Sequence, residues 1–546
     1  MTLEIDRRLL IKGATLGLGA MATPGFASAM LRQGFTHGVA SGEPGPDSVL
    51  LWTRFASSND TRLTAEISER TDFGDIIAGG DVTAHGMHDH IAKTMLGGLR
   101  PDRWYYYRFI APDGQVSSVG RTRTLPAGAT QRFNLGVFSC SNLPFGYFNA
   151  YAHAAESNNL DLVLHLGDYL YEYARGTYPS LKEALPGRLI QPDHEILNLA
   201  DYRMRYASYR ADPDLQRLHQ LYPMVAQWDD HELANDAWKG GAQNHDEASE
   251  GDWSVRKKAA EQVYREWMPV RDRAAGEPQY TKYEIGDLAT IFRTESRISG
   301  RDEPAELAEA LRGQSDLGRA LVNFRDNEWQ DENRSMLGRA QEKWLADGLK
   351  GSKKSGKPWQ IWAQQCVMGE LRLPSETANW IPQDASPFVK RRAQLGVLAA
   401  QAGLPFNFDA WDGYPAARRK MLAAAQEADS DLIVLSGDSH NAWAFELEHD
   451  GRAAGVEFAG QSVTSPGFEA YSKGVDENKV AAALTRTNDT LKWTDTKNRG
   501  YMTVSLTPEK VTSHFHTLAT VQQKSTALSG AKSFSVMRGV RQMVAA

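Results

Sequence analysis

The sequence predicts a mixed α/β chain in which a small all-β domain precedes a larger, layered α/β domain. Three observations lead there. The chain has 546 residues, more than the roughly 250–300 over which a single core keeps growing, so at least two domains are expected. Between about Gly34 and Leu125 apolar and polar residues alternate at the period of strands. Beyond about Gln131, short apolar runs alternate with helical stretches, the pattern of an α/β layer architecture.

In the first region Val49-Leu50-Leu51-Trp52-Thr53-Arg54-Phe55 is strand-like and follows the turn-rich Gly42-Glu43-Pro44-Gly45-Pro46-Asp47. Leu99-Arg100-Pro101-Asp102 leads into Trp104-Tyr105-Tyr106-Tyr107-Arg108-Phe109, with a Tyr-x-Tyr that resembles the tyrosine corner of fibronectin-type sandwiches. These aromatics are expected in the core rather than on a ligand platform. Pro126 to Gln131 reads as a linker.

After the linker, strands are expected at Phe133–Phe138, Asp161–Leu166, Val225–Trp228, Trp359–Gln365 and Leu432–Ser436. Helices are expected at Trp253–Trp267 and Ala340–Leu349. The charged stretch Arg301 to Glu309 reads as solvated loop or helix surface. No internal repeat is evident.

Composition narrows the function. The chain is 41% hydrophobic and 24% charged, as globular proteins are, with a formal net charge of −7 and no long basic block. A broad nucleic-acid-binding surface is not expected, although a local basic pocket is compatible with this balance. Only two cysteines occur, Cys140 and Cys366. In an exported protein they are one possible disulfide. Two thiols are too few for a zinc ribbon, so metal chemistry must come mainly from Asp, His, Asn and Tyr.

Residues 1–29 read as an export signal. Asp6-Arg7-Arg8-Leu9-Leu10-Ile11-Lys12 resembles the twin-arginine motif, a weakly apolar stretch follows, and Ala27-Ser28-Ala29 is a small-x-small cleavage site. The apolar run is shorter than the ~20 residues a bilayer span needs. The expectations are a periplasmic or secreted protein, delivered folded by the twin-arginine machinery, and a mature chain with no transmembrane anchor. The plainer reading is a helix with a chance Arg-Arg pair.

Four expected strand ends carry ligand-type residues: Ser139-Cys140-Ser141-Asn142, Gly167-Asp168-Tyr169-Leu170-Tyr171-Glu172, Asp229-Asp230-His231-Glu232 with Asn235 behind it, and Gly437-Asp438-Ser439-His440. In open α/β sheets functional groups gather beyond the carboxyl ends of strands. Each piece alone is an ordinary turn. Together they place carboxylates and imidazoles at buried positions that would each cost several kcal/mol unpaired, on the order of the penalty for a buried charge. A metal cluster compensates them most simply, against a plainer set of hydrogen-bonded turns and surface ion pairs.

In this order, Gly-Asp-x-x-Tyr, Asp-Asp-His-Glu and Gly-Asp-Ser-His resemble the alkaline phosphatase D (PhoD) family of calcineurin-like metallophosphatases. His37-Gly38-Val39-Ala40-Ser41-Gly42-Glu43-Pro44 is similar to that family's amino-terminal signature. Tyr202 to Asp214, Pro223 to Trp228, and Leu337-Gly338 with Gln341 to Leu345 are similar to further family segments. The resemblance runs from about Gly34 to Phe515. It implies a four-layer αββα metallophosphatase sandwich preceded by a small fibronectin/Ig-like β-sandwich. The implied domains are 33–126 for the sandwich, 131–520 for the catalytic domain and 521–546 for a carboxyl-terminal tail.

The resemblance also implies a site. Asp168 would bridge two metal ions. Tyr171, Cys140 and His440 would bind a ferric ion (Fe3+), while Asp230, Asp438 and Asn235 would serve an oxygen-rich second site suited to calcium (Ca2+), other divalent metals being alternatives. One superfamily histidine, expected near Gln364-Gln365-Cys366, is missing. Arg297, in Glu295-Ser296-Arg297, is either a phosphate clamp or an ion pair with Glu295 or Asp302. His231 is the candidate to contact the phosphoryl group and protonate the leaving group, with Asp230 beside it. His165 is read as core, and His514 and His516 as exposed or packing residues.

The implied activity is that of an alkaline phosphatase or phosphodiesterase, hydrolysing phosphate esters such as nucleotides by a metal-bound hydroxide or oxide. Two alternatives are a phospholipase D-like phosphodiesterase acting on phospholipid headgroups and a non-catalytic envelope protein that binds phosphate or calcium.

Overall fold

The structure is a computed structural model, and its described residues are 33–546 except 275–276, 384 and 386. The twin-arginine motif and the Ala27-Ser28-Ala29 site lie outside the described residues.

Two large sheets face one another. The first has ten strands, in the order Met543–Ala545, Leu528–Met537, Lys510–Leu518, Gly500–Leu506, Phe133–Phe138, Leu162–His165, Pro223–Ala226, Gly34–Gly42, Val49–Ala56 and Ile91–Leu96. The second has seven: Thr281–Ile285, Ala289–Arg293, Trp359–Ala363, Leu432–Ser436, Arg452–Ala459, Ala442–His449 and Leu491–Asp495. At the heart of each, consecutive strands run parallel: 133–138, 162–165 and 223–226 in the first, 289–293, 359–363 and 432–436 in the second. Parallel strands buried on both faces need continuous apolar runs, and that is what these segments have.

The side-chain period of two sorts these runs into layers. Leu135, Val137, Leu162 and Leu164 point between the sheets, where they meet Ile291, Ile361, Ile433 and Phe458. Phe138, Val163 and Met224 point the other way, onto helices Asn149–Ser157, Leu199–Arg210, Pro213–Leu221 and Trp253–Trp267. On the outer face of the second sheet Phe292, Trp362 and Val434 pack on helices Arg339–Lys354, Pro415–Glu427 and Glu477–Thr487. The result is helix, sheet, sheet, helix.

The amino-terminal domain has a four-stranded sheet, Ala78–Ala84, Thr61–Ser68, Trp104–Ile110 and Gly120–Arg123, opposite strands 34–42, 49–56 and 91–96. Tyr105, Tyr107 and Phe109 lie in the core between them with Leu51, Leu63 and Ile67. The tyrosine corner is present: the Tyr105 hydroxyl accepts from the Arg100 N–H at 2.9 Å and donates to the Arg100 carbonyl at 3.3 Å. This domain is not hung on a linker. Gly34–Gly42 continues the ten-stranded sheet by parallel pairing of Ser41 with Pro223 and Gly42 with Met224.

Residues 521–546 are not an appended tail. Leu528–Met537 pairs along Lys510–Leu518, and Met543–Ala545 pairs with Phe534 to Val536. Small residues in this stretch conceal its strand character, because only Phe534 and Val536 report the buried face. Their loss would remove about 1.5–3 kcal/mol of burial each and leave an unpaired edge. Truncation after Ala519 is expected to lower the denaturation midpoint in urea by the equivalent of about 3–6 kcal/mol. An unchanged midpoint would show these strands to be dispensable.

Candidate metal centre

All six central parallel strands end at one crest, and their tips carry the predicted residues. The turns are tight. Cys140, Asp168, Asp438 and His440 have φ of 60°, 53°, 62° and 62°. This left-handed region is unfavourable for residues with a Cβ, and it persists where surrounding structure over-determines it, often at functional sites. Gly437 lies where the two sheets meet, and a Cβ there would sit 2.5 Å from the Ser139 hydroxyl. Gly167 takes φ 106° against the backbone of Asp229.

The crest brings together the ligating atoms of Cys140, Asp168 and His440, within 4.8 Å of one another. Three further sets meet the same limit: Asp168, Asp230 and His231; Asp229, Asp230 and Asp438; and Cys366, Asp409 and Asp438. Tyr171 belongs to the first set, its hydroxyl donating to Asp168 Oδ2 at 2.9 Å and lying 3.1 Å from His440 Nε2. The Ser465 hydroxyl donates to the Tyr171 oxygen at 2.7 Å.

The histidines are pre-oriented. His440 Nδ1 is 2.9 Å from the Pro466 carbonyl, so it carries the proton and turns the Nε2 lone pair toward Asp168 and Tyr171. His231 Nδ1 is held by Glu172 at 2.7 Å, and its ring lies 4.2 Å from that of Tyr171. Glu232 ties the tips together by accepting the N–H groups of Asp168, Tyr169 and Asp229 at 3.0, 2.6 and 2.8 Å.

Electrostatically the crest is short of positive charge. Burial, reinforced by neighbouring carboxylates, holds the protons on Asp168 and Asp438 well above the usual carboxylate range. Burial and Asp168 do the same to the Cys140 thiol and the Tyr171 phenol. Burial pushes His440 down to about 3, which leaves it neutral and able to ligate. Burial alone would also discharge His231, but Asp230, Glu172 and Asp168 outweigh it and hold its proton well above the ordinary range. Among the described residues, buried Asp168 Oδ1, Asp229 Oδ2 and Asp230 Oδ1 have no hydrogen-bond partner, although Asp230 Oδ1 faces Arg297 at 3.4 Å. Carboxyl oxygens without hydrogen bonds, beside a thiol, a phenol and a free imidazole nitrogen, fit a metal cluster.

Arg297 is fully buried. Its guanidinium reaches Asp229, Asp409 at 2.6 Å and Asp438 at 3.1 Å, with Asp230 at 3.4 Å. Its ion pairs are therefore with these aspartates and not with Glu295 or Asp302. Glu295 instead receives the N–H groups of Arg297, Ile298 and Ser299, and Asp302 pairs with Lys239. Arg301, expected in a solvated stretch, is buried and pairs with Asp409.

Asn235 joins the same network through Glu172, which also holds His231. Its main-chain N–H goes to Glu172 and its amide to Gln243, and it is Asp236 whose N–H donates to Asp230 at 2.7 Å. In place of the missing histidine, Cys366 enters the set with Asp409 and Asp438, while Gln364 and Gln365 serve Trp411 and Trp228. Asp409 carried no motif and was invisible in the sequence; Asp229 and Glu172 were visible only as neighbours of ligand candidates. Cys140 and Cys366 are both free thiols. His165 is core, bonded to Tyr151 at 2.9 Å, and His514 and His516 bond Ser533 and Thr503 on the sheet.

Fold and site define a class: a layered α/β protein built around a candidate metal centre at the strand tips. Comparison with known proteins is consistent with that class. The PhoD-like phosphatase family model matches residues 135–515, and the model of that family's N-terminal domain matches residues 20–126. Alkaline phosphatase D of Bacillus subtilis is 31% identical over 97% of this chain and 87% of its own length. A solved structure described as that of PhoD superposes with a TM-score of 0.76 at 28% identity, over 97% of this chain and 93% of the other. The chain belongs to the PhoD-like phosphatase family.

Stability should report the unpaired charge. Burial raises the Asp229 pKa from 3.8 to about 6 and that of Asp236 from 3.8 to about 8. A carboxyl raised on folding favours the folded state below its ordinary pKa, and that advantage is lost as pH climbs through the folded value. Metal-stripped protein is expected to melt at steadily lower temperature between about pH 4 and about pH 8, and metal-loaded protein to be flatter. Melting curves after chelation test this, and superimposable pH profiles would contradict it.

Proposed function

We propose that the protein is an exported, metal-dependent phosphoric ester hydrolase, an alkaline phosphatase or phosphodiesterase. The observation that carries this reading is that Asp168 belongs to two groups at once, one with Cys140, Tyr171 and His440 and the other with Asp230 and His231. The sequence signal supports export, and no helix of the described residues is long and apolar enough to cross a membrane.

A thiolate, a phenolate, a carboxylate and an imidazole suit Fe3+, and the carboxylates Asp230 and Asp438 suit a harder ion such as Ca2+. When bound, such ions supply Lewis acidity toward phosphoryl oxygens and lower the pKa of a coordinated water.

The chain's own groups do the rest. Tyr171, Asp168 and Cys140 must release their protons for the centre to form. Arg297 bridges Asp229 and Asp438 and holds them aimed, and this arrangement favours a positioning role over contact with substrate. His231, oriented by Glu172 and with its proton favoured by the surrounding carboxylates, would hydrogen-bond a phosphoryl oxygen and give its Nε2 proton to the leaving alkoxide. Tyr173 and Tyr178 pack against His231 and Tyr171, with ring centroids 5.4 and 5.8 Å away.

Two measurements test the reading. Elemental analysis of natively exported protein should find iron and calcium, and a panel of p-nitrophenyl phosphate, bis-p-nitrophenyl phosphate, nucleotides and phosphatidylcholine should find turnover that Asp168→Ala abolishes. Turnover that survives Asp168→Ala would rule the proposal out. His231→Gln should lower kcat by about 10²–10⁴-fold on alkyl esters, the usual weight of general acid catalysis, and much less on p-nitrophenyl esters, whose leaving group needs no proton. An equal loss on both ester types would assign His231 another role.

A further inference from the structure

Glu172 holds His231, and Glu172 is itself held from farther back in the catalytic domain. Its Oε2 lies 2.7 Å from His231 Nδ1, and its Oε1 accepts the Asn235 N–H at 2.8 Å and the Asn244 side-chain amide at 3.1 Å. The same Asn244 nitrogen donates to Glu195 Oε1 at 3.0 Å. A side-chain amide has two protons, and here each goes to one carboxylate. Two carboxylates gathered on one nitrogen repel each other, and Glu172 is fully buried, where water does not screen that repulsion.

Arg256 supplies the opposing charge. It stands in the first turns of helix Trp253–Trp267 and is 2% exposed. Its Nη2 donates to Glu195 Oε1 at 2.8 Å, and its Nη1 to the Asn244 carbonyl at 3.1 Å and to Glu250 at 3.0 Å. Its Nε donates to the Tyr202 hydroxyl at 3.3 Å, and that hydroxyl donates to the Leu233 carbonyl at 2.6 Å. Leu233 closes the turn that carries His231, its N–H bonding the Asp230 carbonyl at 2.7 Å.

One guanidinium therefore grips the histidine twice. It reaches the ring through Glu195, Asn244 and Glu172, and the backbone through Tyr202. A planar fork can serve both arms, whereas a lysine ammonium is a point charge. Glu195 belongs to none of the candidate ligand sets at the crest, so this chain of contacts leads to His231 and not directly to a metal. We infer that Arg256 is a positioning residue for His231, fixing through Asn244 and Glu172 the direction in which the imidazole presents its proton. The inference rests on the reading of His231 as proton donor to the leaving group.

The test compares single and double variants of the full-length, metal-loaded protein on glycerol phosphate and p-nitrophenyl phosphate. Arg256→Lys and Asn244→Ala should each lower kcat on glycerol phosphate by about 10- to 100-fold, the range for a slightly misplaced reacting group. KM and iron content should hold, and the loss on p-nitrophenyl phosphate should be severalfold smaller. In a His231→Gln background neither substitution should cost anything further. Asn244→Ala decides the matter if Arg256→Lys does not fold. Equal losses on both esters from these two variants, losses that multiply with that of His231→Gln, or no loss with Asn244→Ala would overturn the inference. If His231→Gln alone lowers both esters equally, the reading of His231 as proton donor falls, while non-additivity would still show Arg256 acting through it.

Discussion

Like charge brought together out of water is the constraint on which this structure turns. Strand tips from two sheets deliver Asp168, Asp229, Asp230 and Asp438 to one buried crest, a loop adds Asp409, and the balance there comes from Arg297 with Arg301 behind it. The protein alone leaves carboxyl oxygens without hydrogen bonds and holds a proton on Asp168, which would ordinarily be ionised, and more tightly than usual on the Cys140 thiol. Such an arrangement is expensive as a scaffold and sensible as a cation trap.

The rest of the fold serves to hold those tips in place. Left-handed turns at Cys140, Asp168, Asp438 and His440 aim side chains inward, and strain of that kind survives only where packing is dense on every side. The helix, sheet, sheet, helix layering supplies that density. The hydrogen bonds of Glu172, Glu232, Glu295 and Pro466 then fix which atom of each group faces the centre. The extended first sheet links the amino-terminal domain to this frame, so the sandwich braces the crest rather than decorating it.

Much of this was legible in the sequence, for physical reasons. Phe133–Phe138, Leu432–Ser436 and Trp253–Trp267 were readable to the residue because apolar runs and helical periodicity end sharply at turns. The pairing of a carboxylate with an adjacent histidine exposed the tips. What stayed hidden was whatever depends on distant partners. Arg297 read as either a phosphate clamp or an ion pair with Glu295 or Asp302, because its true partners, Asp229 and Asp409, lie far away in the chain. Asp409 sits in a loop with no periodicity, and strands 528–537 and 543–545 are too rich in small residues to announce themselves.

The central claim is that these tips enclose a cation. Diffraction from natively exported protein at wavelengths on either side of the iron absorption edge tests it most directly. The account predicts an anomalous peak bounded by Cys140 Sγ, Asp168, the Tyr171 oxygen and His440 Nε2. A crest holding only water between those atoms, with iron elsewhere or lacking, would contradict it.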